Sequence, residues 1–538
     1  MTKALKMGKD SAVGSFQLFA GRVTSSIILA VGVMILGRLI SPEDYGLYTV
    51  ALIPPLTFLL FQDWGIHSAI TKYCANFRST GHEGDIRKII STGFTFSLGT
   101  GFALTLISML FSSFIAVSIY GRPEAVFLMQ LASIVILLMS IYTVSQSIFV
   151  GFEKMRFSVY TILSQAITQS VLSAVLVYFG FGAMGVLIGY VASYLIASIV
   201  AVFLLYFGIF NKLSKGNGGR SNEPKSDMRI ILKPLLMYGV PLALSSLANG
   251  LLTQLYSSIM AFNVTDTLIA NYRMALNFSV LLTFFTMPIS TVLFPAFSKV
   301  NPGSEKGLIK TVFTSSVKYA SLLLVPATIF VIMLSGPIVS VLYGNKWVFT
   351  PTYLALYSIS QFTVIFGSIS MKSLFTGVGE TKLLMKLDIL SLCIGVPLAF
   401  FVVPLYGIVG LIVVNIFAEI PEVSIGLYFA WKRYGVKADF GSSSRIFLAA
   451  TIAAVVTFPF LFCFSLVDWL QLTISTLVFV ATFLIGAPLV GAVNQTDVAN
   501  LRSMFSGLGV ISTLLEIPLS LMEKTLKIRL QRGETEGR

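Results

Sequence analysis

Long apolar segments follow one another along this chain, and short polar stretches separate them. Most of these segments reach the roughly 20 residues that an α-helix needs to cross the hydrocarbon core of a bilayer. A helix is the expected structure because backbone polar groups in lipid must pair within the segment. The pattern predicts about fourteen transmembrane spans, at 12–37, 46–66, 90–119, 126–150, 157–179, 184–210, 234–262, 267–297, 311–334, 351–375, 383–403, 406–431, 445–467 and 470–492.

The composition points to the same class of protein. The chain is 56% hydrophobic and 11% charged, whereas soluble domains carry about 25% charged residues. The apolar run that follows Lys3, Lys6 and Lys9 is too long for a signal peptide, so we expect an uncleaved first span. Three cysteines and two histidines predict neither a disulfide framework nor a metal site.

The basic residues fall mostly on one side of the predicted spans. The N-terminus, alternate loops and the C-terminal tail hold most of them, whereas the intervening loops hold Arg38, Arg122 and Lys346. By the positive-inside rule this distribution predicts that both termini lie in the cytoplasm. The short outer loops and the uncleaved first span suit a multi-pass protein of the plasma (inner) membrane. It also accounts for the net charge of +14 without a nucleic-acid partner.

A polar segment and short internal repeats divide the chain. The segment 211–233 is rich in Gly, Asn, Ser and Lys and is typical of a cytoplasmic linker. YTVAL in the second span matches YRMAL in the eighth, and GAMG matches GIVG at a similar spacing. Parallel repeats of this kind predict two six-helix lobes related by a pseudo-two-fold axis. The predicted domains are an N-lobe at 1–210, the linker, a C-lobe at 234–433, two added helices at 434–493, and an amphipathic, basic cytoplasmic tail at 494–538.

Four sequence stretches carry a resemblance to a known family. GRLISPEDYGLYTVAL, with DWGIHSAITKY and the basic DIRKII after it, resembles the polysaccharide-type flippases of the multidrug/oligosaccharidyl-lipid/polysaccharide exporter superfamily, and LFTGVGETKL is similar to part of their second half. The resemblance implies alternating access, with spans 1, 2, 7 and 8 around a central cavity. It implies as substrate a polyprenyl-pyrophosphate-linked oligosaccharide, moved from the inner to the outer leaflet. We expect this substrate and membrane lipids as partners, and glycan-assembly enzymes are further candidates.

Two arginines are the strongest candidates for substrate binding. Arg22 lies near the middle of span 1, where a cation costs about 2.5–3.5 kcal/mol unless it faces water, a partner or an anion. Arg273 lies in span 8, and Asn277 follows one turn later. Because guanidinium donors suit phosphate oxygens, we expect both arginines to bind the pyrophosphate from opposite lobes. The alternative is structural pairing with carboxylates.

Further polar residues of the spans are candidates for contacts with sugar hydroxyls. In span 7, Asn249 and Tyr256 belong to a polar stripe that repeats every three to four residues. The stripe suits sugar binding or, equally, hydrogen bonds between helices. Lys372 in span 10 is another candidate cavity cation, unless its side chain extends to the inner surface. Lys318 in span 9 lies near the inner end of its span, where we expect it to reach water.

Four carboxylates are candidates for ion coupling. Glu419 and Glu422 lie three residues apart in span 12, and such a site could bind Na⁺ or H⁺. Both also lie toward the inner end of the span, where they could simply reach water. Asp63 and Asp388 are further candidates, although a place at a helix interface explains them as well.

Three functions compete at this level. The first is the flippase, and the second is a drug or metabolite/cation antiporter of the same superfamily, for which we expect a cavity dominated by carboxylates. The third is a membrane-embedded glycan polymerase or ligase, which needs catalytic residues in a large outer loop. The outer loops are short, and the longest has Lys346 as its charged residue. We therefore predict a transporter with no catalytic residues, no metal site and no cofactor apart from a coupling ion.

Overall fold

The protein is helical throughout the part of the chain that the structure describes. The computed structural model describes residues 3–80, 83–211, 228–279, 297–298, 305–462, 467–505 and 510–536, and these ranges contain no β-strand. The predicted all-α membrane class is confirmed. Most of the predicted linker lies outside the described residues.

The chain forms two compact units, and the first contains residues Met1–Arg273 and Val396–Leu411. Its core lies where α3, α4, α5 and α7 meet, around Ile70, Ile148 and Phe149. The helices of this unit are α1 (Lys3–Leu39), α2 (Pro42–Leu59), α3 (Ile66–Thr80), α4 (Glu83–Ser113), α5 (Ala125–Gly151), α6 (Met155–Tyr178), α7 (Gly182–Leu205) and α8 (Met228–Asn263). A further helix, α9, begins at residue 266 and is described to residue 279.

The second unit contains residues Met274–Gly395 and Ile412–Arg538. Its helices are α10 (Lys306–Tyr343), α11 (Thr350–Ser358), α12 (Ser368–Gly377), α13 (Thr381–Tyr434), α14 (Phe440–Phe462), α15 (Asp468–Val490), α16 (Gln495–Phe505) and α17 (Val510–Glu536). A 3₁₀ segment, Ile359–Phe366, follows α11 and is bent by 56° against α12. The bend falls at Gly367, which has a φ of 92°. Glycine adopts this angle readily because it has no Cβ. Residues 396–411 of α13 belong to the first unit, and the helix is broken at Gly407.

The helices agree with the apolar pattern. Within the described ranges, nine helices are long and apolar enough to cross a membrane, or ten if the bent pair is one span. The protein is therefore a multi-pass membrane protein. The break at Gly407 separates the two spans that were predicted at 383–403 and 406–431. The exact count of fourteen and the lobe boundaries stay predictions.

The SPEDYG turn begins α2 as a helix cap. Ser41 Oγ accepts a hydrogen bond from the backbone N–H of Asp44 at 3.1 Å, and the Ser41 hydroxyl donates to Asp44 Oδ2 at 2.9 Å. Pro42 occupies the first helical position, where no backbone N–H is needed. These contacts satisfy backbone donors that would otherwise be free at the helix start.

Gly46, one turn into α2, lies against the backbone of the turn between α8 and α9. A Cβ on Gly46 would lie 2.0 Å from the carbonyl oxygen of Asp266. We expect Gly46→Ala to lower the free energy of unfolding by about 1–3 kcal/mol, because neither backbone can move away from the added methyl group easily. Thermal melting in detergent tests this, with Gly99→Ala as the control because a Cβ there meets nothing within 4 Å. Equal melting temperatures for the two variants would contradict the expectation.

The C-terminal tail packs against the second unit through α16 and α17. Leu519, Met522 and Leu526 of α17 are buried in its hydrophobic core. Asn494 and Asp497 cap α16 reciprocally, each accepting the other's backbone N–H at 2.8 Å. The described part of the tail is therefore a packed part of the second unit.

Lys318 corrects one expectation. Its Nζ lies 2.6 Å from Oδ2 of Asp497, and the two side chains are 15% and 7% exposed. Tyr319 donates a further hydrogen bond to Asp497 Oδ1 at 3.4 Å. The prediction that Lys318 extends to water was wrong, because its partner lies in the tail and makes a buried ion pair possible.

Candidate functional site

Arg22 of α1 lines a polar cavity of about 420 Å³ in the first unit. Thr71 of α3, Tyr142, Gln146 and Ser147 of α5, and Ser158 of α6 share its wall. Among the residues that the structure describes, no carboxylate lies within ion-pair distance of the Arg22 guanidinium. The sequence-based alternative, structural pairing with a carboxylate, therefore finds no partner in this part of the chain.

A set of tyrosines extends from this cavity into the unit. Their ring centroids follow one another at 5.7 Å (Tyr142–Tyr194), 5.3 Å (Tyr194–Tyr190) and 6.4 Å (Tyr190–Tyr48). Tyr142 is within electrostatic range of Arg22, and Tyr48 and Tyr190 are within electrostatic range of Arg273. The tyrosine set, Tyr48, Tyr142, Tyr190 and Tyr194, thus has one of the two arginines at each end.

Sequence reasoning missed the tyrosine set because its members belong to three different helices. The spacing of Tyr190 and Tyr194, four residues apart on α7, was the one local signal. The contact between α7, α5 and α2 that assembles the set depends on tertiary packing. Contacts between helices of this kind produce no regular spacing of residues within a single span, so the sequence of one span does not predict them.

Arg273 lies on α9, half-buried, and the described residues place no carboxylate within ion-pair distance of it either. It is not among the residues that line the cavity at Arg22. Asn277 is half-buried one turn later and belongs to the second unit. The structure therefore connects Arg22 and Arg273 through the tyrosine set rather than by a shared cavity wall, and the role of Asn277 stays a prediction.

The two candidates on α8 have different surroundings. Asn249 is exposed, whereas Tyr256 is buried. The Tyr256 hydroxyl has no hydrogen-bond partner among the described residues. A buried hydroxyl without a partner is unfavourable by roughly 1–3 kcal/mol. A ligand hydroxyl would remove this penalty, so the sugar-binding prediction stays open for Tyr256.

A second polar cavity, of about 200 Å³, lies in the second unit. Its wall includes Lys372 of α12, Asn415 and Glu419 of α13, and Tyr357 and Thr363. Lys372 Nζ lies 2.7 Å from Glu422 Oε1, and Thr363 Oγ1 donates to Glu419 Oε1 at 3.1 Å. The Lys372 ammonium is therefore ion-paired beside this cavity, which neither sequence-based alternative included.

Asp388 completes the acidic group around Lys372. Asp388 is within electrostatic range of both Lys372 and Glu422. Glu419 is within electrostatic range of the same two residues. Lys372 thus pairs with one carboxylate and has two more within electrostatic range, so its single charge cannot balance all three if they are ionised. Within the described residues, no three His, Cys, Asp or Glu side chains are placed to hold a metal ion. The group suits a proton or a weakly held monovalent cation better than a structural metal.

Asp63, the fourth candidate carboxylate, lies in the first unit and has a different role. Its Oδ2 lies 3.1 Å from Nδ1 of His67. Its Oδ1 accepts the backbone N–H of His67 at 3.4 Å, at the beginning of α3. His67 Nε2 lies 3.2 Å from the Thr143 hydroxyl of α5. These contacts favour the interface alternative for Asp63.

Arg122 is a further polar residue that the sequence did not single out for function. It is buried and donates hydrogen bonds to Asp266 Oδ1 at 2.6 Å and to the carbonyls of Tyr120 at 3.0 Å and Val264 at 2.6 Å. Burial raises the pKa of Asp266, and the Arg122 guanidinium opposes that rise. The hydrogen bonds of Arg122 therefore connect the segment after α4 to the turn between α8 and α9. This contact lies at the same end of the unit as the beginning of α2.

Comparisons of sequence place these features among known proteins. Residues 35–351 match the model of a family described as "Polysaccharide biosynthesis protein". The chain is 24% identical over 338 residues to the lipopolysaccharide biosynthesis protein WzxC of Escherichia coli (strain K12), which covers 60% of this chain and 62% of that protein. The chain is also 24% identical over 210 residues to an uncharacterized membrane protein in the cps region of Klebsiella pneumoniae. That match covers 39% of this chain and 42% of the other protein. The chain thus spans less than two thirds of these relatives.

Comparisons of structure agree on the fold. The lipid II flippase MurJ, in an inward closed conformation, matches with a TM-score of 0.70 at 16% identity, over 88% of this chain and 98% of that chain. An inward-facing multidrug resistance MATE family transporter of the MOP superfamily matches with a TM-score of 0.60 at 16% identity, over 77% and 98%. At these identities the likeness establishes the fold alone.

Proposed function

The chain belongs to the polysaccharide biosynthesis protein family, as the resemblance to polysaccharide-type flippases predicts, and from this membership we propose that it is a flippase. Its proposed substrate is an oligosaccharide linked to a polyprenyl pyrophosphate, moved from the inner to the outer leaflet. The fold shared with a lipid II flippase and the similarity to a lipopolysaccharide biosynthesis protein support this proposal.

One observation carries the proposal: Arg22 lines a polar cavity, and the described residues place no carboxylate beside it. A guanidinium offers five N–H donors in a planar fork that matches phosphate oxygens. Two unit charges 4 Å apart attract by about 1 kcal/mol in water and by about 4 kcal/mol where the effective dielectric constant is near 20. A pyrophosphate is therefore the ligand that best compensates this cation.

In the proposed mechanism the two arginines act one after the other, in the course of a conformational change of the protein. Arg22 binds the pyrophosphate first, while its cavity is open to the cytoplasm with both termini on that side, and Arg273 joins it as the protein changes conformation. The tyrosine set offers hydroxyls and apolar ring faces near the bound headgroup, which suits sugar rings. The substrate's hydrocarbon tail stays in the bilayer. The two halves of the protein then rearrange so that the cavity opens to the outer leaflet.

We also propose that the polar cavity in the second unit couples transport to a Na⁺ or H⁺ gradient. Glu419 is the residue best placed for this role, because it lines the cavity and its carboxylate accepts a hydrogen bond from the neutral hydroxyl of Thr363. Glu422, in contrast, is directly paired with Lys372. Asp388 is close enough to alter the affinity of the group for a cation.

We expect Glu419→Gln to remove most of the stimulation by a Na⁺ or H⁺ gradient while substrate binding is retained, since the neutral amide can neither take up a proton nor balance a cation. The measurement is transport in proteoliposomes with and without each gradient. Glu380→Gln is the matched control, because Glu380 pairs with Arg433 outside this cavity. Full gradient stimulation of the Glu419 variant would exclude the assignment.

The flippase function itself is tested with a fluorescent polyprenyl-pyrophosphate-linked oligosaccharide in proteoliposomes that contain the purified protein. We expect label to reach the opposite leaflet, where an impermeant reagent quenches it, faster than in protein-free vesicles. Efflux of a cationic drug without lipid movement would instead identify an antiporter, the alternative that the carboxylates of the second unit favour. Equal label movement with and without protein, together with no drug efflux, would contradict both the flippase and the antiporter function.

A further inference from the structure

An apolar cavity of about 520 Å³ lies in the second unit, apart from both polar cavities. Its wall is formed by α10, α15, α16 and α17, together with Phe278 of α9. The lining side chains are almost all aliphatic or aromatic, among them Phe330, Phe479, Phe483, Leu519 and Met522. Among the described residues of the wall, the one hydroxyl is that of Thr476, whose Oγ1 already donates to the Leu472 carbonyl at 2.6 Å. An apolar chain is thus the ligand that this cavity can accept without leaving a polar group unpaired.

Two arginines converge on the C-terminal end of α15. Arg529 Nη1 donates to the Pro488 carbonyl at 2.8 Å, and Arg445 Nη1 donates to the Gly491 carbonyl at 3.3 Å. A Cβ on Gly491 would lie 3.2 Å from Arg529 Nη1 and 3.6 Å from Arg445 Nη1. The two guanidinium groups therefore occupy one small volume. We call Arg445 and Arg529 the arginine pair.

Capping of α15 uses only part of the hydrogen-bonding capacity of the arginine pair. Each guanidinium has five N–H donors, and the contacts above occupy one donor of each. Within the described ranges, no carboxylate lies within ion-pair distance of either residue. Both side chains are exposed, so their spare donors can reach a ligand. Two adjacent cations that share no counter-ion attract an anion with several oxygens.

The apolar cavity and the arginine pair lie along the same two helices. On α15, Phe483 lines the cavity and Pro488 accepts the bond from Arg529. On α17, Met522 lines the cavity, and Arg529 follows two turns later. At 1.5 Å per residue the distance along either helix is about 8–10 Å. That separation matches the distance between a lipid phosphate and the beginning of its hydrocarbon chains.

We propose that the apolar cavity and the arginine pair form one binding site for an anionic diacyl phospholipid. The phosphate and its headgroup bind Arg445 and Arg529, and one acyl chain occupies the cavity between α10, α15 and α17. The basic tail lies on the predicted cytoplasmic side, where anionic headgroups attract Lys and Arg. The site is separate from the Arg22 cavity, and it does not rest on the proposed transport function.

Native mass spectrometry of the purified protein in detergent tests this proposal. The probes are phosphatidylglycerol and phosphatidylcholine with identical acyl chains, titrated one at a time. We expect phosphatidylglycerol to bind about tenfold more tightly, because it carries a net negative charge, whereas the choline ammonium of phosphatidylcholine offsets its phosphate charge and is repelled by the arginine pair. The double variant Arg445→Gln/Arg529→Gln should lose this preference. Arg433→Gln, at an exposed arginine paired with Glu380, should retain it.

A second variant tests the cavity while leaving the arginine pair intact. Ala327 lines the cavity, and Ala327→Phe should fill it and weaken binding of both phospholipids without changing their order. Melting temperatures of all variants confirm that folded proteins are compared. Equal binding of the two phospholipids to the wild type would overturn the proposal, as would unchanged binding in the double variant. Displacement of bound phosphatidylglycerol by an equal concentration of polyprenyl phosphate would assign the site to the transport substrate instead.

Discussion

Arg22→Gln is expected to reduce transport of a polyprenyl-pyrophosphate-linked oligosaccharide by about 10- to 100-fold. The substitution keeps a polar side chain, although a shorter one, and removes the charge and most of the donors. Loss of a hydrogen bond to a charged group corresponds to about 1.5–3 kcal/mol, which gives this range. The stability of the protein should change little, since no carboxylate in the described part of the chain depends on Arg22. Proteoliposome transport at matched amounts of folded protein is the measurement.

Arg273→Gln should produce a loss of similar size, and the double variant should lose little more than the worse single variant. Residues that bind one group together act as a unit, so their effects do not add. Arg156→Gln is the control, because Arg156 is exposed at the beginning of α6 and does not line the Arg22 cavity. Full transport in both the Arg22 and the Arg273 variants would exclude pyrophosphate binding by these residues and leave the flippase function open.

Asp497→Asn is expected to lower the free energy of unfolding by about 3–5 kcal/mol, because it leaves the buried Lys318 ammonium without its ion-pair partner. The amide can still cap α16, so the change isolates the charge from the hydrogen bonds at the helix start. Both side chains are at most 15% exposed, which limits screening by solvent. Unfolding in detergent mixtures and thermal melting measure the effect.

The double variant Lys318→Gln/Asp497→Asn should recover most of the lost stability, since it leaves no buried charge. Arg502→Gln serves as the comparison, because its ion pairs with Glu516 and Glu523 are exposed and should contribute little. A single variant as stable as the wild type would show that Lys318 reaches water by another route. Failure of the double variant to recover would instead assign the stability to the hydrogen bonds of Asp497.

Most of the helical architecture could be predicted from the apolar pattern, because a bilayer fixes both the length and the hydrophobicity of a span. The Ser41 cap was also predictable, since a cap depends on four consecutive residues. The broken helix at Gly407 agrees with a predicted boundary between two spans. These features are local, and the sequence contains all the information that they need.

The features that could not be predicted depend on residues far apart in the chain. The tyrosine set needs three helices to meet, and Arg122 needs the turn at Asp266 to reach its guanidinium. Lys372 was assigned either to a cavity or to the inner surface because its pairing with Glu422, on another helix, leaves no spacing signal. The candidate carboxylates were identified as a group, but the distinction between Glu419, Glu422 and Asp63 required the structure.

The ion pair between Lys318 and Asp497 also constrains the order of events during biosynthesis. The two residues are 179 positions apart, so at about 5–20 residues per second the ribosome adds Asp497 roughly 10 to 35 s after Lys318. During that interval α10 enters the membrane with an ammonium that lacks its ion-pair partner. The helix must then stay close to the translocation machinery or to anionic headgroups until the tail arrives. Docking of the tail is therefore a late checkpoint of assembly, at which a quality-control protease could distinguish finished from unfinished copies.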